Sequence, residues 1–196
     1  MDFDESNEED NRDGNNSNRS WNVGVEGETT DPEIIATRHK LQKSMLASLI
    51  LSTGVPMITM GDESGRSQSG SNNAYSLPLD GDMRGPEAFN GGWALSWKRS
   101  EDEQEIFETT KFLIDLRKKY LSHVTKEFFT GEMDLGTNRK DLAWFRRNGE
   151  EMKREHWEDP GRDHLAMLVD ASIGQALFVV LNADWESENF ILPSSK

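Results

Sequence analysis

The feature that most constrains this chain is a short apolar segment at residues 55–60, Val-Pro-Met-Ile-Thr-Met, which lies between two longer helical patterns. Apolar side chains occupy both of its alternating faces, which is typical of a strand covered on both sides in a parallel sheet. Gly61, Asp62 and Glu63 follow at once. The sequence therefore predicts a buried strand with polar groups at its C-terminal end, where α/β folds place functional residues.

Amphipathic helices are predicted on both sides of this segment. An Asp-Pro-Glu sequence at residue 31 supplies an N-cap, a proline at the first helical position and an acid in the first turn. A Ser-x-x-Glu capping box begins at residue 100. Apolar residues recur at helical spacing after each signal, so we expect helices over residues 31–53 and 101–121.

One strand between two helices is too little to form a sheet. A parallel strand needs neighbours reached by crossover connections, and a closed (β/α)₈ barrel needs eight strands in roughly 250 residues. The chain has 196 residues and shows a single apolar strand of this kind. We therefore expect its first half to be a piece of a larger sheet or barrel whose other strands lie elsewhere, and to expose apolar surface in isolation.

Beyond residue 123 the helical pattern gives way to short strand patterns separated by turn residues, which predicts a small antiparallel β module. The candidate strands cover residues 127–129, 142–146, 165–170, 176–182 and 189–192. The predicted organisation is a polar loop region at residues 1–30, a helix-strand-helix region at 31–122 with a long loop at 61–100, and a β domain at 123–196.

Charge and composition exclude several classes of function. The 22 basic and 36 acidic residues give a net charge of −14 at pH 7, which opposes binding to nucleic acid or to an anionic membrane surface. The chain has no cysteine, and its four histidines show no H-x-x-x-H pairing, so we expect no metal and no cofactor. No apolar run reaches the roughly 20 residues of a membrane span, and the acidic N-terminus does not resemble a signal peptide. These features predict a cytoplasmic protein.

Two carboxylates after the predicted strand are the first candidates for chemistry. Asp62 and Glu63 are adjacent, so their side chains should diverge, whereas glycoside hydrolysis needs two carboxyl groups facing each other about 5 to 9.5 Å apart. In the structural alternative, one of them pairs with Arg66 or orders the loop at residues 72–73. Three tryptophans in the flanking loops have aromatic faces suited to stacking on a sugar ring: Trp21, Trp93 and Trp97.

Several ordered motifs carry a family resemblance. They are the Asn-Arg-Asp-Gly of residues 11–14, the segments 19–27, 54–57, 61–63, 65–66 and 72–75, and, farther along the chain, 141–145 and 149–152. In this order and spacing they resemble bacterial glycogen debranching enzymes, which are isoamylase-type members of the α-amylase superfamily, glycoside hydrolase family 13.

The resemblance implies an α/β fold followed by all-β structure. Residues 31–53, 55–60 and 101–121 would be the seventh helix, eighth strand and eighth helix, the last α-β-α portion of an incomplete (β/α)₈ TIM barrel. A C-terminal antiparallel β-sandwich domain would follow. The implied activity is hydrolysis of α-1,6-glucosidic branch linkages in glycogen or limit dextrin, with retention.

The family's catalytic acids lie on earlier barrel strands, so the resemblance assigns no catalytic residue here. It implies that the chain is inactive alone, has the missing N-terminal part of the enzyme as a partner, and contacts an α-glucan at the rim of the substrate cleft. The residues carried over to that rim are Trp21, Asp62, Glu63, Arg66, Asn72, Asn73 and Tyr75. Two alternatives stay open, namely a standalone carbohydrate-binding module and a structural module that completes a barrel supplied by another polypeptide.

Overall fold

The structure is a computed structural model that describes residues 21–25, 27, 29–66, 97–121, 128–172, 175–184 and 186–193. The chain divides into two compact units. The first comprises Met1–Ser52 and Pro56–Ile114, and the second comprises Thr53–Val55 and Asp115–Lys196.

Helix α1 of the first unit spans Pro32–Leu51. Its N-cap is Asp31, whose Oδ1 accepts the backbone N–H of Glu33 at 2.9 Å, and Pro32 occupies the first turn, where its missing N–H has no cost. The predicted helix is confirmed, although it ends two residues earlier than expected. Its last two turns are the buried part, with Leu46, Ile50 and Leu51 inside.

Helix α2 spans Glu101–Tyr120 and confirms the second predicted helix. The capping box forms as expected, because the Ser100 N–H donates to Glu103 Oε2 at 2.7 Å and the Glu103 N–H donates to Ser100 Oγ at 3.2 Å. Lys43 of α1 forms an ion pair with Glu105 at 2.7 Å, which connects the two helices within the first unit. Neither long helix in the described part of the chain is apolar enough to cross a membrane.

The strand predicted at residues 55–60 is not present. None of these residues is in a strand, and the exposed fractions of Val55, Met57 and Met60 are 89%, 83% and 69%. A strand of this pattern is stable only when neighbouring strands satisfy its backbone and cover its two faces. The described residues supply no such neighbours, so the segment runs as exposed, irregular chain. The predicted exposure of apolar surface is confirmed.

The second unit is built on antiparallel strands. Strands β3 (Leu142–Phe145), β4 (His164–Ser172) and β5 (Gln175–Asn182) form a three-stranded sheet in the order β3-β4-β5, while β1 (Met133–Asp134) and β2 (Arg139–Lys140) form a hairpin. Both ladders of the sheet are antiparallel. A short helix, α3 (Arg154–Trp157), lies between β3 and β4.

The sheet brings small and aromatic side chains together in a core. Phe145 lies opposite Ala166, which is fully buried, and Phe145 also contacts the Phe178 ring at a centroid distance of 6.3 Å. Phe190, from the segment after β5, packs against the same cluster. This core fixes the ends of the three strands and the loops that extend from them.

Three of the five predicted strands are confirmed by β3, β4 and β5. The strands predicted at residues 127–129 and 189–192 are wrong, because residues 128–129 and 189–192 are irregular, and residue 127 lies outside the described residues. The β1-β2 hairpin and α3 were not predicted. The antiparallel character of this half is confirmed, whereas the β-sandwich and the barrel portion stay predictions.

Candidate functional site

The polar residues after the exposed segment form one compact turn at residues 59–66, which we call the acidic turn. Two backbone bonds close it, from the Asp62 N–H to the Thr59 carbonyl at 3.0 Å and from the Arg66 N–H to the Gly61 carbonyl at 3.1 Å. Gly61 has a φ of +102°, a conformation that glycine adopts without steric cost. The turn therefore has a defined backbone although it follows an irregular segment.

Asp62 is engaged at both carboxylate oxygens. Its Oδ1 accepts Arg66 Nε at 3.0 Å, and its Oδ2 accepts the backbone N–H of Thr59 at 3.0 Å. The hypothesis that one of the two acids pairs with Arg66 is confirmed, and Asp62 is that residue. The ion pair is partly exposed, so its main effect is to hold the geometry of the turn.

Glu63 has a different partner. Its Oε2 accepts the backbone N–H of Gly61 at 2.7 Å, so the side chain folds back over the start of the turn. Asp62 is bound to Thr59 and Arg66 instead. This arrangement lets each acid order its own part of the turn, and it leaves both side chains partly exposed, where they can accept hydrogen bonds from a ligand.

The acidic turn is anchored on both helices of the first unit. Arg99, just before α2, donates from Nε to Ser64 Oγ at 2.8 Å, and its guanidinium lies 3.8 Å from the centroid of the Phe107 ring. Gly65 packs so closely against α2 that an added Cβ would lie 2.9 Å from Ile106 Cδ1. The same Cβ would lie 3.5 Å from the side-chain oxygen of Gln42 in α1, which is an ordinary contact distance. Helix packing therefore sets the position of the turn.

The other predicted rim residues are only partly described. Trp21 is 53% exposed and lies on the loop before α1. Arg38 of α1 holds that loop by donating to the carbonyls of Gly27 at 2.7 Å and Asn22 at 2.9 Å. Asp62, Glu63 and Arg66 thus meet in one turn, while Trp21 sits on its own anchored loop. Asn72, Asn73, Tyr75 and Trp93 lie outside the described residues.

The second unit contains a group of side chains that was not predicted from the sequence. Ligand atoms of Asp163, His164 and Asp184 all lie within 4.8 Å of one another. His164 begins β4, and its ladder partner Asn182 ends β5, two residues before Asp184. Imidazole and carboxylate are ligand types that bind divalent cations. This group could not be predicted from the sequence, because its residues meet only when the two strands pair.

Comparisons with known proteins identify relatives along most of the chain. A glycogen operon protein GlgX homologue of Mycobacterium tuberculosis is 38% identical over 154 residues, which cover 78% of this chain and 20% of the relative. A GlgX homologue of Haemophilus influenzae is 33% identical over 199 residues, covering 98% of this chain and 26% of the relative. The isoamylase of a Flavobacterium species is 33% identical over 184 residues, covering 92% and 21%. No protein-family model matches the chain.

These similarities cover most of this chain but a minor part of each relative. The chain spans about a fifth to a quarter of the length of the curated relatives it matches. Over that span, the chain is homologous to a C-terminal part of the isoamylase-type glycogen debranching enzymes.

Proposed function

We propose that the chain is part of a debranching enzyme that hydrolyses α-1,6-glucosidic branch linkages in glycogen or limit dextrin, with retention, in the cytoplasm. The observation that carries this proposal is the similarity to proteins named glycogen debranching enzyme and isoamylase, which in one case extends over 96% of the chain. The net charge of −14 would repel an anionic polymer and does not oppose binding of a neutral polysaccharide, which agrees with glycogen as the substrate.

Within such an enzyme the acidic turn serves as part of the rim of the glucan cleft. Its side chains suit this role because Asp62, Glu63 and Arg66 combine hydrogen-bond acceptors and donors on a backbone anchored to two helices. Trp21 adds a half-exposed aromatic face on a loop that Arg38 restrains. Asn72, Asn73 and Tyr75 complete the proposed rim.

The catalytic carboxylates come from another part of the enzyme. In the acidic turn, both carboxylate oxygens of Asp62 and the Oε2 of Glu63 accept hydrogen bonds from Arg66, Thr59 and Gly61, which suits a positioning role better than proton transfer to a sugar bond. The exposed side chains of residues 55–60 supply a surface on which further strands can pack. This chain is therefore inactive alone and acts with the remaining N-terminal part as its partner.

The test is a complementation assay for debranching. The chain is purified alone and co-expressed with the upstream three-quarters of the Haemophilus influenzae relative, and reducing ends released from glycogen and limit dextrin are measured. We expect release only from the co-expressed pair, and less of it when Asp62→Ala or Trp21→Ala is introduced. A pair that associates but never debranches overturns the proposed activity. Turnover by the chain alone that disappears in Glu63→Gln overturns the assignment of catalysis to another part.

A further inference from the structure

The second unit has an open cleft that the proposed function does not use. Its volume is about 460 Å³, and its walls come from the loop at residues 146–148 after β3, from α3, and from the loop at residues 159–164 that enters β4. Nearly all of the lining side chains are charged or polar, and Met152 is the exception. Such a cleft is built for hydrogen bonding rather than for an apolar ligand.

The charges around the cleft are balanced. Arg146 pairs with Glu150 at 3.1 Å, and Arg147 pairs with Glu188 at 2.5 Å. Together with Asp159 and Asp163 of the lining, these glutamates give four carboxylates against the three guanidinium groups of the cleft. A phosphate or other anion would therefore find little net attraction here, and less still at the surface of a chain with a net charge of −14.

Several hydrogen-bonding groups nevertheless face the cleft. His156 accepts the backbone N–H of Lys153 at its Nδ1, at 3.0 Å, so its ring proton is on Nε2, which is then a donor. Arg162 donates from one terminal nitrogen to the carbonyls of His156 and Trp157 at 2.8 and 2.9 Å, and this fixes the plane of its guanidinium. Asp159 provides a carboxylate that accepts the Gly161 N–H at 2.9 Å. Fixed donors and acceptors of this kind match the hydroxyl groups of a sugar.

An aromatic ring lies beside these groups. The guanidinium of Arg162 is 5.1 Å from the centroid of Trp157, which is still 41% exposed. Trp157 is itself braced by an edge contact with Trp144 of β3, at a centroid distance of 5.6 Å. Trp157 does not line the cleft, but its ring supports the Arg162 guanidinium that does, which helps to hold that donor in place.

We propose that this cleft binds a segment of neutral α-glucan chain, at a site that shares no residue with the acidic turn. The choice of an α-glucan rests on the proposed function, whereas the choice of a neutral, hydroxyl-rich ligand rests on the charge balance and the donor set. Arg162, His156 and Asp159 line the cleft and supply the hydrogen bonds, while Trp157 lies behind Arg162 and supports its guanidinium. Such a site would tether the chain to the polysaccharide.

The test measures binding of maltoheptaose to the full chain by titration calorimetry. Arg162→Met should raise its Kd about tenfold, because a fixed charge-assisted donor is lost. The matched control is Arg154→Met on α3, whose side chain is 93% exposed and does not line the cleft. The Kd of this control should equal that of the wild type. Binding to both proteins should be insensitive to salt, since a neutral ligand releases no counterions.

A measurement on the unaltered chain guards against misfolding of the variant. Backbone amide resonances of residues 146–164 should shift when maltoheptaose is added, and shifts confined to other residues overturn the proposal. Absent binding, or equal losses in both variants, also overturns it. Tighter, salt-sensitive binding of inorganic phosphate or glucose 1-phosphate would identify an anion site instead. The complementation assay tests the proposed function separately. If the chain binds maltoheptaose but the co-expressed pair does not debranch glycogen, only the proposed function is contradicted.

Discussion

Gly65 shows how a single residue ties the acidic turn to the helices. Its φ of +69° belongs to the left-handed region, and an added Cβ would lie only 2.9 Å from Cδ1 of the buried Ile106 side chain. The sequence indicated Asp62, Glu63 and Arg66 because charged residues after an apolar segment are visible as a pattern. It gave no indication that Gly65 is a packing residue, because that contact depends on where α2 runs.

We expect Gly65→Ala to destabilise the first unit by about 2 to 4 kcal/mol, the sum of backbone strain and overpacking against Ile106. Gly24→Ala is the matched control, since Gly24 also has a positive φ, +89°, but has open space where its Cβ would be. The free energy of unfolding of this control should fall by about 1 kcal/mol, from backbone strain alone. Urea unfolding followed by circular dichroism measures both, and equal losses would show that the contact with Ile106 contributes nothing.

At the scale of elements, local signals were predictable and long-range pairing was not. The caps at Asp31 and Ser100 act within a few residues, so the starts of α1 and α2 could be read directly from the sequence. Residues 55–60 carry an equally clear strand pattern, but a strand needs partners that the described residues do not provide. The β1-β2 hairpin was missed because its strands are two residues each and have no apolar alternation.

In the second unit, Asp141 links the segment before β1 to the start of β3, and its carboxylate makes stability depend on pH. It lies just before β3 and accepts the backbone N–H groups of Thr130 and Gly131 at 2.7 and 2.8 Å. Burial raises the pKa of its carboxyl group, but these hydrogen bonds, with those from the Thr130 hydroxyl and the Leu142 N–H, outweigh burial and hold the pKa below its ordinary value of 3.8. The folded state therefore prefers the ionised carboxylate.

We expect Asp141→Asn to lower the free energy of unfolding by about 2 kcal/mol at pH 7, because an amide cannot accept all of these donors. The folded pKa is lowered, so the stabilisation by Asp141 is present above pH 3.8 and is lost as the pH falls through the folded value. The gap between wild type and variant should therefore narrow below pH 3.8. Urea unfolding at a series of pH values measures this difference in the free energy of unfolding. The control is Asp115→Asn on the exposed side of α2, which should change the free energy of unfolding little at any pH. A gap independent of pH contradicts this account.

The molecule as a whole combines a strongly acidic chain with exposed apolar side chains in both of its units. Met45 and Leu49 of α1 are 72% and 39% exposed, and Met57 is 83% exposed in the segment that failed to form a strand. Scattered exposed apolar residues are common, but a run of them in an exposed, irregular segment invites association with another chain. The proposed partner and self-association therefore compete for the same residues.

This competition predicts that a single substitution lowers both self-association and complementation. Met57→Lys should reduce light scattering and dye binding by the isolated chain several-fold, because a charge in this exposed segment opposes its pairing with another chain. It should also reduce debranching in the complementation assay, because the same side chain would become buried against the partner. Met133→Lys is the control, since Met133 is also exposed, at 53%, but lies in β1 of the second unit. If Met57→Lys leaves complementation intact, or if Met133→Lys reduces scattering equally, residues 55–60 are not the surface on which the missing part packs.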